Sequence, residues 1–425
     1  MKSGRIYTAA MAVAEFTTPL DLEKIRADFP ILARPVHGKR LVFLDSAASS
    51  QKPRQVIETL VDVYETSYAN VHRGVYYLGA RATERYEGAR DIMAGFVNAG
   101  DRREVIFVRE ATEALNLVAY AYGRTFVGPG DAIVATEMEH HSNLVPWQFL
   151  AQQTGATLHY LRLTDDGSLD PDSQERLAAI ENVKLVAVAH VSNSLGTIND
   201  IPALATWAHD RGAVLVVDGA QAAPHRPVDV QALGCDFYAL SGHKMCGPGA
   251  GILWGRAELL EKMPPFLTGG EMIRTVSLEK TTWNDLPWKF EAGTPAIAES
   301  IALGAAAQYL QGIGMEAIEA HEHALTAYAY DVLDGISGVT QYGPKPPNRA
   351  GILSFNVGNV HPHDVAQVLD SEGIAVRAGH HCTQPLMRRF DLQATTRASV
   401  YLYNGRDDID ALALGIEKVK RTFSV

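Results

Sequence analysis

Short apolar runs recur along the chain, each closed by a polar or glycine-rich turn. Positions 41–44, 104–108, 131–135, 185–189, 214–217 and 236–240 are continuous rather than alternating. That is the pattern of strands buried on both faces. Helical spacings fall between them, as in Val56, Ile57, Leu60, Val61 and Tyr64, and in Leu115, Leu117 and Val118. A short helix is expected over 22–29, closed by Pro30. Strands alternating with helices predict an α/β fold with a mainly parallel sheet covered on both faces.

The texture changes after 290–295. An alanine-rich helix over 301–313 is expected to join a large domain to a smaller α+β one. Strands are expected there over 351–357 and 374–376, and helices over 364–370 and 409–423. The expected division is a flexible tail over 1–20, a large domain over 21–300 and a small domain over 301–425, with 21–40 packing against the small domain. The run over 9–14 is too short and alanine-rich for a secretory segment.

Composition narrows the partners. The 425 residues are 47% hydrophobic and 20% charged, which suits a globular chain. No apolar run approaches a membrane span. A formal net charge of −11 argues against a nucleic-acid partner. Cys235, Cys246 and Cys382 give no disulfide framework, so a reducing, cytoplasmic compartment is expected.

The candidate chemistry centres on Ser241-Gly242-His243-Lys244, between an apolar strand and the turn containing Gly247, Pro248, Gly249 and Gly251. Desolvation there disfavours an ammonium and frees a nucleophilic amine. Asp218 closes the preceding buried run, and ligands of open α/β sheets bind at such strand ends. A lysine able to form a Schiff base, with an acid to pair with a pyridine nitrogen, is the protein's half of pyridoxal phosphate chemistry. Thr112 opens a helix, where it can cap the helix or help bind a phosphate. His140 and His141 follow another strand, where a ring can stack on a flat heterocycle or bond locally. Cys382 lies in Arg377-Ala378-Gly379-His380-His381-Cys382, and cationic surroundings raise the thiolate fraction of a thiol. His361, His363, His380, His381 and Cys382 match no structural zinc spacing, so no metal is expected within the chain.

Together these motifs resemble the cysteine desulfurases of the class V aminotransferase family, and among them the SUF-type group (SufS), from about Asp21 to the end. Asp218-Gly219-Ala220-Gln221 and Ser241-Gly242-His243-Lys244 mark the wider family. The Cys382 motif marks the desulfurases, and its short loop marks the SUF-type group. The resemblance implies the fold-type I architecture, with a seven-stranded sheet, and a homodimer. It implies that Lys244 carries pyridoxal phosphate, that His140 stacks on it, and that Asp218 and Gln221 bond its ring. Thr112, Ser241, His243 and the backbone at Ala111 would hold the phosphate, joined by Thr294 from the neighbouring subunit. Asn193, Arg377 and Arg397 would bind substrate, and His72 and Arg73 would lie near the partner's site. One departure stands out: many relatives carry Gly-Thr-Thr where this chain has Glu110-Ala111-Thr112, so one hydroxyl is missing.

The activity so implied converts L-cysteine to L-alanine and leaves a persulfide on Cys382, for iron–sulfur cluster assembly. The alternatives are a selenocysteine lyase or another enzyme of the family. Val360-His361-Pro362-His363-Asp364 resembles relatives that pass sulfur to a small zinc-bearing acceptor, SufU-like rather than SufE-like. There His363 would take a zinc position when the partner docks. The plainer reading is that His363 caps or packs locally.

Overall fold

The computed structural model describes residues 20–177 and 179–425. The expected tail over 1–20 therefore lies, but for its last residue, outside the described residues. In chain order the strands are β1 (Val42–Phe43), β2 (Val105–Val108), β3 (Ala132–Thr136), β4 (Thr157–Leu161), β5 (Val183–Ala189), β6 (Val214–Asp218), β7 (Phe237–Ser241) and β8 (Gly251–Gly255). They continue with β9 (Ile273–Val276), β10 (Thr281–Trp283), β11 (Val339–Tyr342), β12 (Ile352–Val357), β13 (Ile374–Ala375), β14 (Arg377–Gly379) and β15 (Thr395–Ser399).

Seven strands form the main sheet, in the order β2-β8-β7-β6-β5-β3-β4. The pairs among β7, β6, β5, β3 and β4 are parallel, whereas β8 runs antiparallel to both neighbours. Every residue of β3, β6, β7 and β8 is buried, which is why these runs are continuously apolar. The sequence reading placed Gly251 in a turn and missed β8. Glycine is needed there for close approach: a Cβ on Gly251 would stand 2.4 Å from the Leu240 carbonyl oxygen.

The C-terminal unit is an antiparallel sheet in the order β11-β12-β15-β14, with the helices Pro362–Ser371 and Arg406–Phe423 packed against its core. β1 pairs with β13, Val42 opposite Ile374, and Arg26 forms ion pairs with Asp407 and Asp408. The N-terminal segment as far as Asp45 therefore lies against this unit. The helix expected over 301–313 is longer, Ile297–Ile313, and lies in the large core. Its Leu303, Ala307 and Leu310 share one cluster with Leu215 and Val217 of β6. Small residues let it approach the helix Tyr77–Phe96, with a Cβ on Gly304 reaching 3.0 Å from Ala89. A division at 301 would cut through this helix. No helix among the described residues is long and apolar enough to cross a membrane.

Strand register sets the chemistry. Asp218 pairs with Ala239, so Asp218 and Ser241 end adjacent strands on the same side of the sheet. Gly219, just beyond Asp218, lies against the Tyr238 ring, whose hydroxyl bonds His190 Nδ1 at 3.1 Å. A Cβ on Gly219 would fall 2.0 Å from that ring. Gly219→Ala is thus expected to destabilise the fold by about 1–3 kcal/mol through overpacking. A lower denaturation midpoint checks this, and an unchanged midpoint contradicts the packing described.

Candidate active site

At the carboxyl ends of β6 and β7 a cleft of about 630 Å³ opens between the two units. Lys244 ends the short turn Gly242–Lys244 after β7 and lies half-buried in the cleft. Burial lowers its pKa, and Arg397 lowers it further, while Asp218 opposes both. Burial raises the Asp218 pKa, and the Lys244 charge works against that. The Asp218 carboxylate also accepts from the Ala220 N–H at 3.0 Å. This lysine loses its proton more readily than an exposed one while an acid stands in its field.

His140 lines the same cleft, and its Nδ1 accepts from the Ser142 N–H at 3.1 Å. Burial, with a lesser effect of Lys244, pushes its pKa down to about 3, so the ring is neutral at ordinary pH. His243 is likewise lowered by burial, to about 4. Ala111, Thr112, Ser241 and His243 come together at one end of the cleft. The Ala111 N–H donates to Ser241 Oγ at 3.0 Å, and the Thr112 and Ser142 hydroxyls stand 2.7 Å apart.

Cys382 enters from the C-terminal unit. His381 and Cys382 both hold positive φ, at 50° and 57°, a turn that is uncommon for such side chains and leaves Cys382 exposed. The turn is tied to the large unit. The His141 N–H donates to the Cys382 carbonyl at 2.8 Å, and Asn193 Nδ2 donates to the His381 carbonyl at 2.7 Å. Cys235 and Cys246 are buried, and burial pushes each thiol up to about 12. Neither is a competing nucleophile.

Arg377 and Arg397 are direct partners across β14 and β15, where two like charges repel. Asp45 relieves this, bonding Arg377 Nη2 at 3.0 Å and standing 3.5 Å from Arg397 Nη2. Arg397 Nη1 donates to the Asn193 carbonyl at 2.7 Å, whereas its buried Nε has no partner. Burial lowers the Arg397 pKa to about 10.

The sequence reading did not single out Asp45, although it too is an acid closing an apolar run, as Asp218 is. It also missed Lys52, whose Nζ donates to the Ser50 and His243 carbonyls at 2.6 and 3.0 Å. No local pattern marks a lysine held in this way.

Three expected residues lie elsewhere within the same chain. His72 bonds Glu87 at 2.8 Å and Arg73 pairs with Glu271 at 3.2 Å, both in a second recess beside Trp288. Thr294 lines a third recess near Phe107 and Val108. In the H-P-H-D stretch, His361 caps the helix Pro362–Ser371 by accepting from the His363 N–H, while His363 itself is exposed. No cluster of three or more potential metal ligands occurs among the described residues.

The cleft suits a pyridoxal phosphate. A lysine of lowered pKa faces a buried carboxylate, a neutral flat ring lies beside them, and a group of hydroxyls gathers at one end. Gln221 donates through Nε2 to the Ala47 carbonyl at 2.6 Å, and its buried Oε1 has no partner.

Comparison with known proteins places the chain among pyridoxal-phosphate enzymes. Residues 42–412 match the family described as Aminotransferase class-V. A probable cysteine desulfurase of Halalkalibacterium halodurans is 55% identical over 405 residues, 95% of this chain and 99% of that protein. The solved cysteine desulfurase of Thermococcus onnurineus superposes with a TM-score of 0.89 at 41% identity, covering 94% of this chain and 98% of the other. The cysteine desulfurase CsdA of Escherichia coli gives 0.88 at 38% identity, covering 95% and 100%.

Proposed function

The chain belongs to the class-V aminotransferase family, and on that premise we propose that it is a cysteine desulfurase, a pyridoxal-phosphate-dependent sulfurtransferase. The observation that carries this is one exposed thiol, Cys382, opening on the same cleft as Lys244 and Asp218. A plain aminotransferase needs no such thiol.

Pyridoxal phosphate, when bound, supplies an electron sink next to the substrate's Cα. Lys244 would hold it covalently, Asp218 would pair with the ring nitrogen, Gln221 would bond the ring hydroxyl, and His140 would stack on the ring. Thr112, Ser241 and His243 would take the phosphate. Arg397, Asn193 and Arg377 receive the carboxylate of L-cysteine. The desolvated amine of Lys244, when free, would be suited to moving the Cα proton. The Cys382 thiolate attacks the substrate sulfur. The S–S bond forms as the C–S bond breaks, the electron pair returns to carbon, and a proton taken up at that carbon completes the methyl group of alanine. L-alanine leaves, and a persulfide stays on Cys382.

We read the chain further as a SUF-type enzyme of the cytoplasm that supplies sulfur for iron–sulfur clusters, acting as a homodimer. Val75, Tyr76 and Tyr77 are exposed apolar residues near His72 and Arg73, which supports burial against a second copy. Thr294 lies outside its own chain's cleft, in keeping with service to a neighbour's phosphate.

Incubation with L-cysteine, with and without a reductant, tests the activity. Wild type is expected to form alanine without any added keto acid. Cys382→Ala is expected to keep the cofactor colour and lose persulfide and sustained alanine formation. Persulfide found by mass spectrometry on Cys235 or Cys246 would sink the proposal.

The acceptor reading gives a separate test. The exposed His363 supports docking of a small zinc-bearing, SufU-like protein, since neutral imidazole suits zinc. A zinc-loaded acceptor is expected to stimulate wild type, a zinc-free one not. His363→Ala should keep basal activity and lose the stimulation. Equal stimulation of both would refute this part and leave the desulfurase reading intact.

A further inference from the structure

The turn Glu110-Ala111-Thr112 places a carboxyl where the phosphate is expected. Glu110 lines the same cleft as Ala111, Thr112, Ser241 and His243. Its Oε2 is enclosed and has no hydrogen-bond partner. The cationic groups facing it are Lys52, from the segment before the helix Arg54–Asp62, and Lys244 beyond β7. Lys52 Nζ is already turned to two backbone carbonyls. His243 faces Glu110 with its backbone, and its ring is neutral at ordinary pH. On the same turn, Arg109 pairs with Glu113 at 3.4 Å. From β8 the neighbour is Gly251, which brings backbone only.

We propose that Glu110 binds the cofactor as a neutral carboxylic acid that donates its hydrogen to the phosphate, so that the chain holds pyridoxal phosphate less tightly as pH rises. The proposal rests on the cofactor reading above. A carboxylate and a phosphate dianion in one partly desolvated pocket cannot both stay ionised without a large penalty. Burial raises the Glu110 pKa to about 7, against the opposing pull of Ser241 and Lys244. Added phosphate charge pushes the same way. A protonated Glu110 also returns to this turn an O–H donor, the kind of group that Ala111 lacks.

The sign follows from proton linkage. Above its pKa in the cofactor-free site, Glu110 must take up a proton as the phosphate binds. Affinity then falls with rising pH, by up to about tenfold per pH unit. Lys244 and the cofactor titrate too, so the comparison is with Glu110→Gln, which has the same shape and is a neutral donor at every pH.

Equilibrium dialysis of the holoenzyme against graded pyridoxal phosphate, between about pH 6.5 and 9, gives the dissociation constants. The ratio of wild type to Glu110→Gln is expected to climb with pH, and the ³¹P shift of the bound phosphate is expected to titrate in wild type. Parallel profiles for the two proteins, or a variant that binds more weakly than wild type at high pH, overturn the inference while the cofactor reading stands. Should Glu110→Gln fail to fold, a flat wild-type ³¹P shift over the same range overturns it. A wild-type chain that binds no pyridoxal phosphate at any pH overturns the cofactor reading and the inference together.

Discussion

The site depends on partly withdrawing one amine from water, in the field of a buried carboxylate. Burial pushes Lys244 and Asp218 each toward neutrality, and their mutual attraction opposes it. Only a rigid frame sustains that tension. Here the frame is a set of fully buried parallel strands whose register sets Asp218 opposite Ala239, two residues before Ser241 ends the next strand. Glycines at 219 and 242 leave no room for movement: a Cβ on Gly242 would stand 2.1 Å from the Ala250 carbonyl.

The C-terminal unit brings the second half of the chemistry. β14 and β15 place Arg377 opposite Arg397, and the loop after β14 carries Cys382. Asp45, just after β1, holds the two guanidinium groups together. One carboxylate therefore links the N-terminal segment, the arginines and the thiol loop. The same loop is hydrogen-bonded to His141 and Asn193 of the large unit, so the bonds that tie the two units together here also place the thiol.

Continuous apolar runs ending in an acid or a lysine made β6 and β7 legible in the sequence, and with them Asp218 and Lys244. β8 was hidden because Gly251, at its start, reads as part of the preceding glycine turn. β15 was hidden because Thr395-Thr396-Arg397-Ala398-Ser399 is polar yet wholly buried, with Thr395, Arg397 and Ser399 bonded to residues outside the strand. Asp45 and Lys52 were missed for the same reason: their partners lie hundreds of positions away or on backbone carbonyls. Glu110 was visible only as a departure from a resembling motif. Its enclosure, which gives the departure physical meaning, required the fold.

Among the described residues, burial lowers the pKa of three lysines, Lys52, Lys244 and Lys289. Lys52 and Lys289 donate to backbone carbonyls, whereas among the described residues Lys244 Nζ makes no hydrogen bond and faces the cleft. Borohydride reduction of the chain loaded with pyridoxal phosphate, followed by peptide mapping, reads directly which amine carries the cofactor. The account predicts a phosphopyridoxyl group on Lys244 alone. Label on Lys52 or Lys289, or none on Lys244, would contradict it.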